Sequence, residues 1–413
     1  IFPDQPLRFP NRLDEKGPNW MVTFQMGRFI FMPYGPFSQE GGTSMNHSFT
    51  IPLRSALGNL SPYSPGKPIR ELQQELGLSD IIKLASNENP LGPSPKALEA
   101  IADSLSDLHR YPDASTVQLR QALAAHHQMA PEQFIISNGG DELITLIAET
   151  FLEPEDEVII CSPSFSEYEF GAHLMGATVV PVPLSPSFKF DREAIVNAVT
   201  NRTRWLCLCS PNNPTGTYLP REDLRYILDT LPKHVLVLLD AAYSPFAHES
   251  DYTDGLEFVR SGYPVIVLQT FSKLYGLAGL RVGYGVGHET LVHQIVKVKE
   301  PFNVNTLAQI AATAALQDVE HVRLTLKSNH EGKLQLYHAF QQMGLPYVES
   351  TSNFLLVELG AAAKDIYEAL MAHGIIVRYG GIWNLPGHLR ISIGNIEENS
   401  VLIRAISDIL ACE

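Results

Sequence analysis

The stretch Val265-Ile266-Val267-Leu268-Gln269-Thr270-Phe271-Ser272-Lys273-Leu274-Tyr275-Gly276-Leu277-Ala278-Gly279-Leu280-Arg281 joins a continuous apolar run to a glycine-punctuated loop. A short, wholly apolar run is the signature of a strand buried on both faces, as in a parallel sheet. The loop behind it brings together a lysine, two hydroxyls and an arginine. Hydroxyls and a guanidinium suit a phosphate dianion, and an amine that can lose its proton can form a Schiff base.

The same pattern recurs along the chain. Between residues 95 and about 300, apolar runs at 134–136, 158–160, 179–180, 205–209, 235–239, 265–268 and 282–286 alternate with helical patterns. Such alternation predicts an α/β domain whose mostly parallel, seven-stranded sheet is covered by helices on both faces. Beyond Pro301 a helical period runs nearly unbroken over 305–343. A small α+β domain is expected after it, with strands at 354–359, 375–378 and 389–393 and helices at 364–373 and 397–410. Upstream, a helical pattern through Leu72, Leu76 and Leu78 precedes a short strand at 81–84. Residues 1–44 look different: Pro and Gly recur, Phe29, Phe31, Tyr34 and Phe37 crowd together, and no period persists. They read as a disordered leader, with Met45 the expected natural start. The expected organisation is therefore a leader (1–44), an N-terminal arm or part of the small domain (45–94), a large domain (95–300), and an interdomain helix with the small domain (301–413).

Composition narrows the function. A formal charge of -15, from 45 acidic and 30 basic residues, argues against a nucleic-acid surface or an anionic membrane. Anionic ligands must then be captured by locally placed arginines. No apolar run reaches the length of a membrane span and no secretory signal is evident, so the chain reads as cytoplasmic. Cys161, Cys207, Cys209 and Cys412 are too scattered for a disulfide framework and read as reduced thiols. His126-His127 has no partner at metal-ligand spacing, and no metal site is expected.

In sheets of this kind ligands gather beyond the carboxyl ends of the strands. Run 134–136 is followed by Ser137-Asn138-Gly139-Gly140-Asp141-Glu142 and a helix start, which offers free N–H groups to an anion. Run 205–209 leads into Ser210-Pro211-Asn212-Asn213-Pro214-Thr215-Gly216, a turn able to aim an amide at a ligand. Run 235–239 ends in Asp240-Ala241-Ala242-Tyr243. An aspartate closing an apolar strand pays heavily in desolvation unless a cation or a loop N–H meets it. A lysine, a carboxylate, a phenol and an anion site together fit pyridoxal 5'-phosphate (PLP): its aldehyde needs a lysine, its ring nitrogen a carboxylate, its ring oxygen a donor and its phosphate an anion cup.

These motifs, with Asn87-Glu88-Asn89-Pro90, Arg110-Tyr111-Pro112 and Leu277-Ala278-Gly279-Leu280-Arg281, resemble the class I/II aminotransferases of PLP fold type I. With Tyr63-Ser64-Pro65-Gly66 in front and Ser352-Asn353-Phe354 behind, the set looks most like the histidinol-phosphate aminotransferase family, over about residues 60–411. The resemblance implies that Lys273 forms the Schiff base and shuttles the proton. It pairs Asp240 with the pyridinium, sets Asn213 and Tyr243 on the ring oxygen, and stacks Phe165 on the ring. Gly140, Asp141, Thr270, Ser272 and Arg281 would hold the phosphate, and Tyr111 would reach the cofactor of a neighbouring subunit, implying a homodimer with shared sites. Arg390 would clamp the carboxylate of glutamate or 2-oxoglutarate, while Tyr63 and Arg378 would face the distal end of the substrate. One departure stands out: the family often has Asp-Glu-Ala-Tyr where this chain has Asp240-Ala241-Ala242-Tyr243, which predicts an altered local hydrogen-bond network and retained activity.

The expected reaction is transfer of an amino group from L-glutamate to imidazole-acetol phosphate. The motifs identify the cofactor better than the side-chain pocket, so two alternatives stand beside it. One is an aromatic or broad-specificity aminotransferase of the same subfamily, and the other a PLP-dependent amino-acid-phosphate decarboxylase. A DNA-binding aminotransferase-like regulator would call for a basic helix-turn-helix domain, which neither the leader nor the net charge supplies.

Overall fold

Apolar runs rich in branched aliphatic residues become the central parallel strands of the main sheet. The computed structural model describes residues 52–60, 73, 77 and 80–411, and its elements all belong to the unit Leu53–Glu413. The expectations for residues 1–44, for Tyr63, for Cys412 and for the helical pattern through Leu72, Leu76 and Leu78 lie outside the described residues.

The short β1 (Ile82–Lys83) precedes the strands of the main sheet. These are β2 (Phe134–Ser137), β3 (Glu157–Ser162), β4 (Thr178–Pro183), β5 (Thr203–Cys209), β6 (Leu236–Asp240), β7 (Val265–Thr270) and β8 (Gly283–Gly287). They form a seven-stranded sheet in the order β2-β8-β7-β6-β5-β3-β4. Every neighbouring pair is parallel except those of β8, which runs antiparallel to both β2 and β7. The edge strand β4 has a single buried residue, Val182, and it carries Pro181 and Pro183, residues a central strand cannot accommodate.

The helices that cover this sheet are α1 (Pro95–Ser104), α2 (Val117–His127), α3 (Gly140–Phe151), α4 (Glu167–Met175), α5 (Arg192–Asn197), α6 (Arg221–Thr230), α7 (Leu256–Arg260), α8 (Glu289–Val296) and α9 (Thr306–Ala315). One face buries Leu123 of α2, Ile195 of α5, Ile227 of α6, Phe258 of α7 and Ala311 of α9 against Leu206, Val237 and Val267. The other packs Leu143 and Ile147 of α3, Tyr168 of α4 and Val292 of α8 against Val158, Trp205, Leu238 and Ile266. Two-sided burial explains why the strands read as unbroken apolar runs.

After the long helix α10 (Val319–Met343) come β9 (Tyr347–Val348), β10 (Phe354–Glu358), helix α11 (Ala363–Ala372), β11 (Ile375–Ile376), β12 (Arg378–Tyr379), β13 (His388–Ser392) and helix α12 (Ile396–Ala411). An antiparallel sheet in the order β12-β13-β10-β9 packs Leu355, Val357 and Ile391 on Phe340 of α10, Ile366 of α11 and Leu402 of α12. β1 pairs in parallel with β11, joining the start of the described chain to its C-terminal region.

Two expectations need correction. The helical period over 305–343 is broken between α9 and α10, because Asp318 caps a new helix by accepting the His321 N–H at 3.2 Å. Periodicity persists across the break, so the apolar pattern alone could not reveal it. The strand expected at 375–378 is split, β11 pairing with β1 and β12 with β13, so that the chain changes partners at Val377.

Asp318 also accepts a hydrogen bond from Ser94 Oγ at 2.6 Å and one from the Lys96 amide, so one carboxylate serves the starts of both α10 and α1. Losing an N-cap costs about 1 kcal/mol, and here a second helix start is orphaned with it. Asp318→Ala should lower unfolding free energy by roughly 1–3 kcal/mol in urea titrations; an unchanged midpoint would show that the cap carries no weight.

Candidate active site

Strands β2, β5, β6 and β7 run in one direction, so Ser137, Cys209, Asp240 and Thr270 all end at one edge of the sheet. The antiparallel β8 begins there, at Gly283. Beyond this edge lies a cavity of about 530 Å³. Its lining includes Gly140, Asp141, Phe165, Asn213, Asp240, Tyr243, Thr270, Ser272, Lys273, Arg281, Arg378 and Arg390. Among the described residues, every site residue expected from the sequence is gathered here except Tyr111.

The cations are tied to backbone carbonyls. Lys273 Nζ donates to the carbonyl of Ser86 at 3.0 Å and sits 5.7 Å from the centre of the Tyr243 ring. Burial, reinforced by the positive charge of Arg390, pushes its pKa down from 10.5 to about 8. Arg390 is buried. Its guanidinium donates to Asn213 Oδ1 and to the carbonyl of Ala85, each at 2.5 Å, and lies between the rings of Trp383 (5.0 Å) and Phe354 (5.4 Å). Two aromatic faces and two acceptors leave a guanidinium little freedom. In the register of β12 and β13, Arg378 lies directly opposite Arg390, so both arginines serve the same side of the cavity.

Asp240 is 5% exposed. Its Oδ2 accepts the Tyr168 hydroxyl at 2.6 Å and its Oδ1 the Ala242 N–H at 3.0 Å. Burial raises its pKa, and these two neutral donors oppose the rise. Tyr243, packed edge-on against Phe354 at 5.0 Å, receives Asn87 Nδ2 on its hydroxyl at 2.9 Å, and burial keeps the phenol protonated.

The residues that the sequence assigned to a phosphate also lie in this lining. Arg281 Nη2 pairs with Asp141 Oδ2 at 3.0 Å, and Thr270 Oγ1 lies 3.0 Å from both the hydroxyl and the amide of Ser272. Gly139 caps α3 with φ 85°, and a Cβ there would meet Arg281 Nη2 at 2.5 Å. Arg281 itself is left-handed, with φ 56°, which costs roughly 1–2 kcal/mol and turns its side chain toward the helix start.

Residues 79–406 match the family model for aminotransferase class I and II. The chain belongs to the class I and II aminotransferases. It is 46% identical over 364 residues to the histidinol-phosphate aminotransferase of Moorella thermoacetica, covering 88% of this chain and 94% of that protein. It is 43% identical over 354 residues to that of Symbiobacterium thermophilum, covering 86% and 97%. Among solved structures, the histidinol-phosphate aminotransferase of Sinorhizobium meliloti in complex with pyridoxal-5'-phosphate superposes with a TM-score of 0.81 at 26% identity, covering 90% of this chain and all of that one. The architecture is that of PLP fold type I.

The lining of this aminotransferase cavity suits a phosphorylated pyridine. A buried carboxylate met only by neutral hydrogen-bond donors suits a cationic ring nitrogen, and an amine with a pKa near 8 suits an aldehyde. Tyr111 stands apart, 83% exposed and stacked on Phe302 at 4.8 Å. Ala241, where the family often has glutamate, is fully buried in the core on one face of the sheet, while the lining takes its neighbours Asp240 and Ala242. Three contributors were not assigned from the sequence. Tyr168 holds Asp240, Asn87 binds Tyr243, and Trp383 covers Arg390. Asn87 belongs to the Asn87-Glu88-Asn89-Pro90 motif; the other two carry no local signal.

Only a neutral amine attacks an aldehyde, and the neutral fraction of Lys273 rises as pH passes about 8, against 10.5 for an ordinary lysine. Reductive trapping of a small aldehyde by the cofactor-free protein, followed on the Lys273 peptide by mass spectrometry, should therefore show a midpoint near pH 8. A midpoint close to that of surface lysines would contradict the burial argument.

Proposed function

We propose that this chain is a PLP-dependent aminotransferase converting imidazole-acetol phosphate and L-glutamate to L-histidinol phosphate and 2-oxoglutarate, a step in histidine biosynthesis. The observation that carries the reading is that Lys273, Asp240 and Arg390 line one cavity in a chain matching nearly the whole length of relatives bearing that name. Both half-reactions use the same cavity. Glutamate gives up its amino group and leaves as 2-oxoglutarate; the phosphorylated imidazole ketone then accepts the group.

When bound, PLP supplies an aldehyde for the amine and an electron-poor ring that accepts the electron pair released at the substrate α-carbon. The protein does the rest. Lys273 Nζ anchors the cofactor and moves the proton to and from the α-carbon. Asp240 balances the charge on the ring nitrogen, Asn213 and Tyr243 bind the ring oxygen, and Phe165 covers the ring. Thr270, Ser272 and Arg281, with the backbone amides of Gly140 and Asp141 at the start of α3, hold the phosphate, while the Asp141 carboxylate orients Arg281. Arg390 takes the substrate carboxylate in a two-pronged fork, and Arg378, with Tyr63, serves the distal phosphate.

The division into an N-terminal arm or part of the small domain (45–94), a large domain (95–300), and an interdomain helix with the small domain (301–413) belongs to the same reading. So does a homodimer in which Tyr111 crosses to the partner's cofactor, supported by its exposure and its stacking on Phe302. Among the described residues no helix is long and apolar enough to cross a membrane, and we place the enzyme in the cytoplasm.

The reading is tested by offering histidinol phosphate, phenylalanine, tyrosine and threonine phosphate as amino donors to the PLP-loaded enzyme and following the visible spectrum. Histidinol phosphate should react fastest. Preference for an aromatic amino acid would move the enzyme to another specificity, and carbon dioxide release from threonine phosphate would replace transamination by decarboxylation. Lys273→Ala should lose both turnover and the borohydride-reducible adduct. Arg390→Ala should lower kcat/KM for glutamate about 100-fold, the roughly 3 kcal/mol expected for truncating a buried charge partner.

A further inference from the structure

We infer that Tyr168 is a positioning residue that holds negative charge on Asp240 and thereby keeps the proton on the ring nitrogen of the bound cofactor. This inference rests on the reading of the cavity as a PLP site.

Tyr168 lies in the first turn of α4, is fully buried, and donates its hydroxyl to Asp240 Oδ2 at 2.6 Å. That length is typical of a hydrogen bond to an ionised oxygen, about twice as strong as a neutral one. The other oxygen of Asp240 is met by a single backbone N–H. The phenol is a fixed donor, because burial and the neighbouring carboxylate push its own ionisation far up. Its ring is locked in the core between the sheet and α3, edge-on to Phe165 at 5.8 Å and 81°. Phe165, Asp240 and Cys209 line the cavity whereas Tyr168 does not, so the hydroxyl acts on a ligand through its partners, of which Asp240 is the charged one.

The consequence concerns where one proton rests. Between a ring nitrogen and a buried carboxylate, the proton stays on nitrogen only if the carboxylate is a weak enough base. A strong hydrogen bond from behind weakens that base. Without the hydroxyl the shared proton shifts toward Asp240, the ring loses its positive charge, and the lysine–cofactor linkage becomes harder to deprotonate.

Tyr168→Phe removes the hydroxyl and preserves the ring and its packing; circular dichroism and the urea midpoint check the fold. Cofactor-free wild type and variant are titrated with PLP and with its carbocyclic analogue, in which CH replaces the ring nitrogen. Removal of a hydrogen bond to a charged group should raise the Kd for PLP about tenfold or more, with less than about a twofold change for the analogue. The pH midpoint of the visible absorbance of the PLP-loaded variant should move upward. Equal losses for both ligands would reduce Tyr168 to a packing residue, and unchanged affinity with an unchanged midpoint would overturn the inference. If the phenylalanine variant does not fold, 3-fluorotyrosine at position 168 keeps the shape and strengthens the donor, and the midpoint should then move downward; no movement would overturn the inference. Wild-type protein that binds neither ligand would sink the cofactor reading itself, a result distinct from all of these.

Discussion

A carboxylate buried at the end of a central strand must be met by donors or lose its charge, and much of this structure answers to that requirement. Leaving Asp240 ionised in a dry site would cost several kcal/mol, more than one well-packed leucine returns. Two neutral donors reduce the cost. The Ala242 amide is local, whereas the Tyr168 hydroxyl must be carried in by a helix on one face of the sheet. The packing of α4 on the sheet, which buries Tyr168 and Ala172, brings that hydroxyl to one carboxylate oxygen and sets the edge-on contact with Phe165.

Most of the architecture was legible because its causes are local or topological. Strands buried on both faces must be apolar throughout, so β2, β3, β5, β6 and β7 announce themselves in composition. Once they run parallel, the loops at their carboxyl ends must meet at the same edge, and Gly140, Asn213, Asp240 and Lys273 could be assembled before any contact was known. Contacts between residues far apart in sequence were not legible. Tyr168 reaches Asp240 across 72 positions and Asn87 reaches Tyr243 across 156. A tyrosine on an amphipathic helix looks the same whether it fills space or donates a proton. The break at Asp318 was hidden for a different reason: the buried positions, from Ala308 to Ala315 in α9 and from His321 to Phe340 in α10, keep one helical period, and only the carboxylate's partners reveal a cap.

An acidic protein that binds anions has to concentrate positive potential in a small volume. Here the means are geometric. Arg378 and Arg390 are directly opposed on adjacent strands, a pairing that like charges disfavour unless other groups share the load. Asn213 and the Ala85 carbonyl receive the Arg390 guanidinium, and aromatic faces cover it. The lysine shares this environment, and the nearby guanidinium is one reason its amine can shed a proton near neutral pH.

The segment after β1 ties together groups on opposite sides of the cavity. Leu84 accepts from Ser392 of β13, Ala85 from Arg390, and Ser86 from Lys273, while Asn87 bonds to both Ser392 and Tyr243. Four successive residues therefore set the spacing between the Lys273 amine and the Arg390 guanidinium from one short piece of backbone. The two cations cannot drift independently. A displacement of that backbone changes both together, so residues 84–87 hold the distance between the two cations.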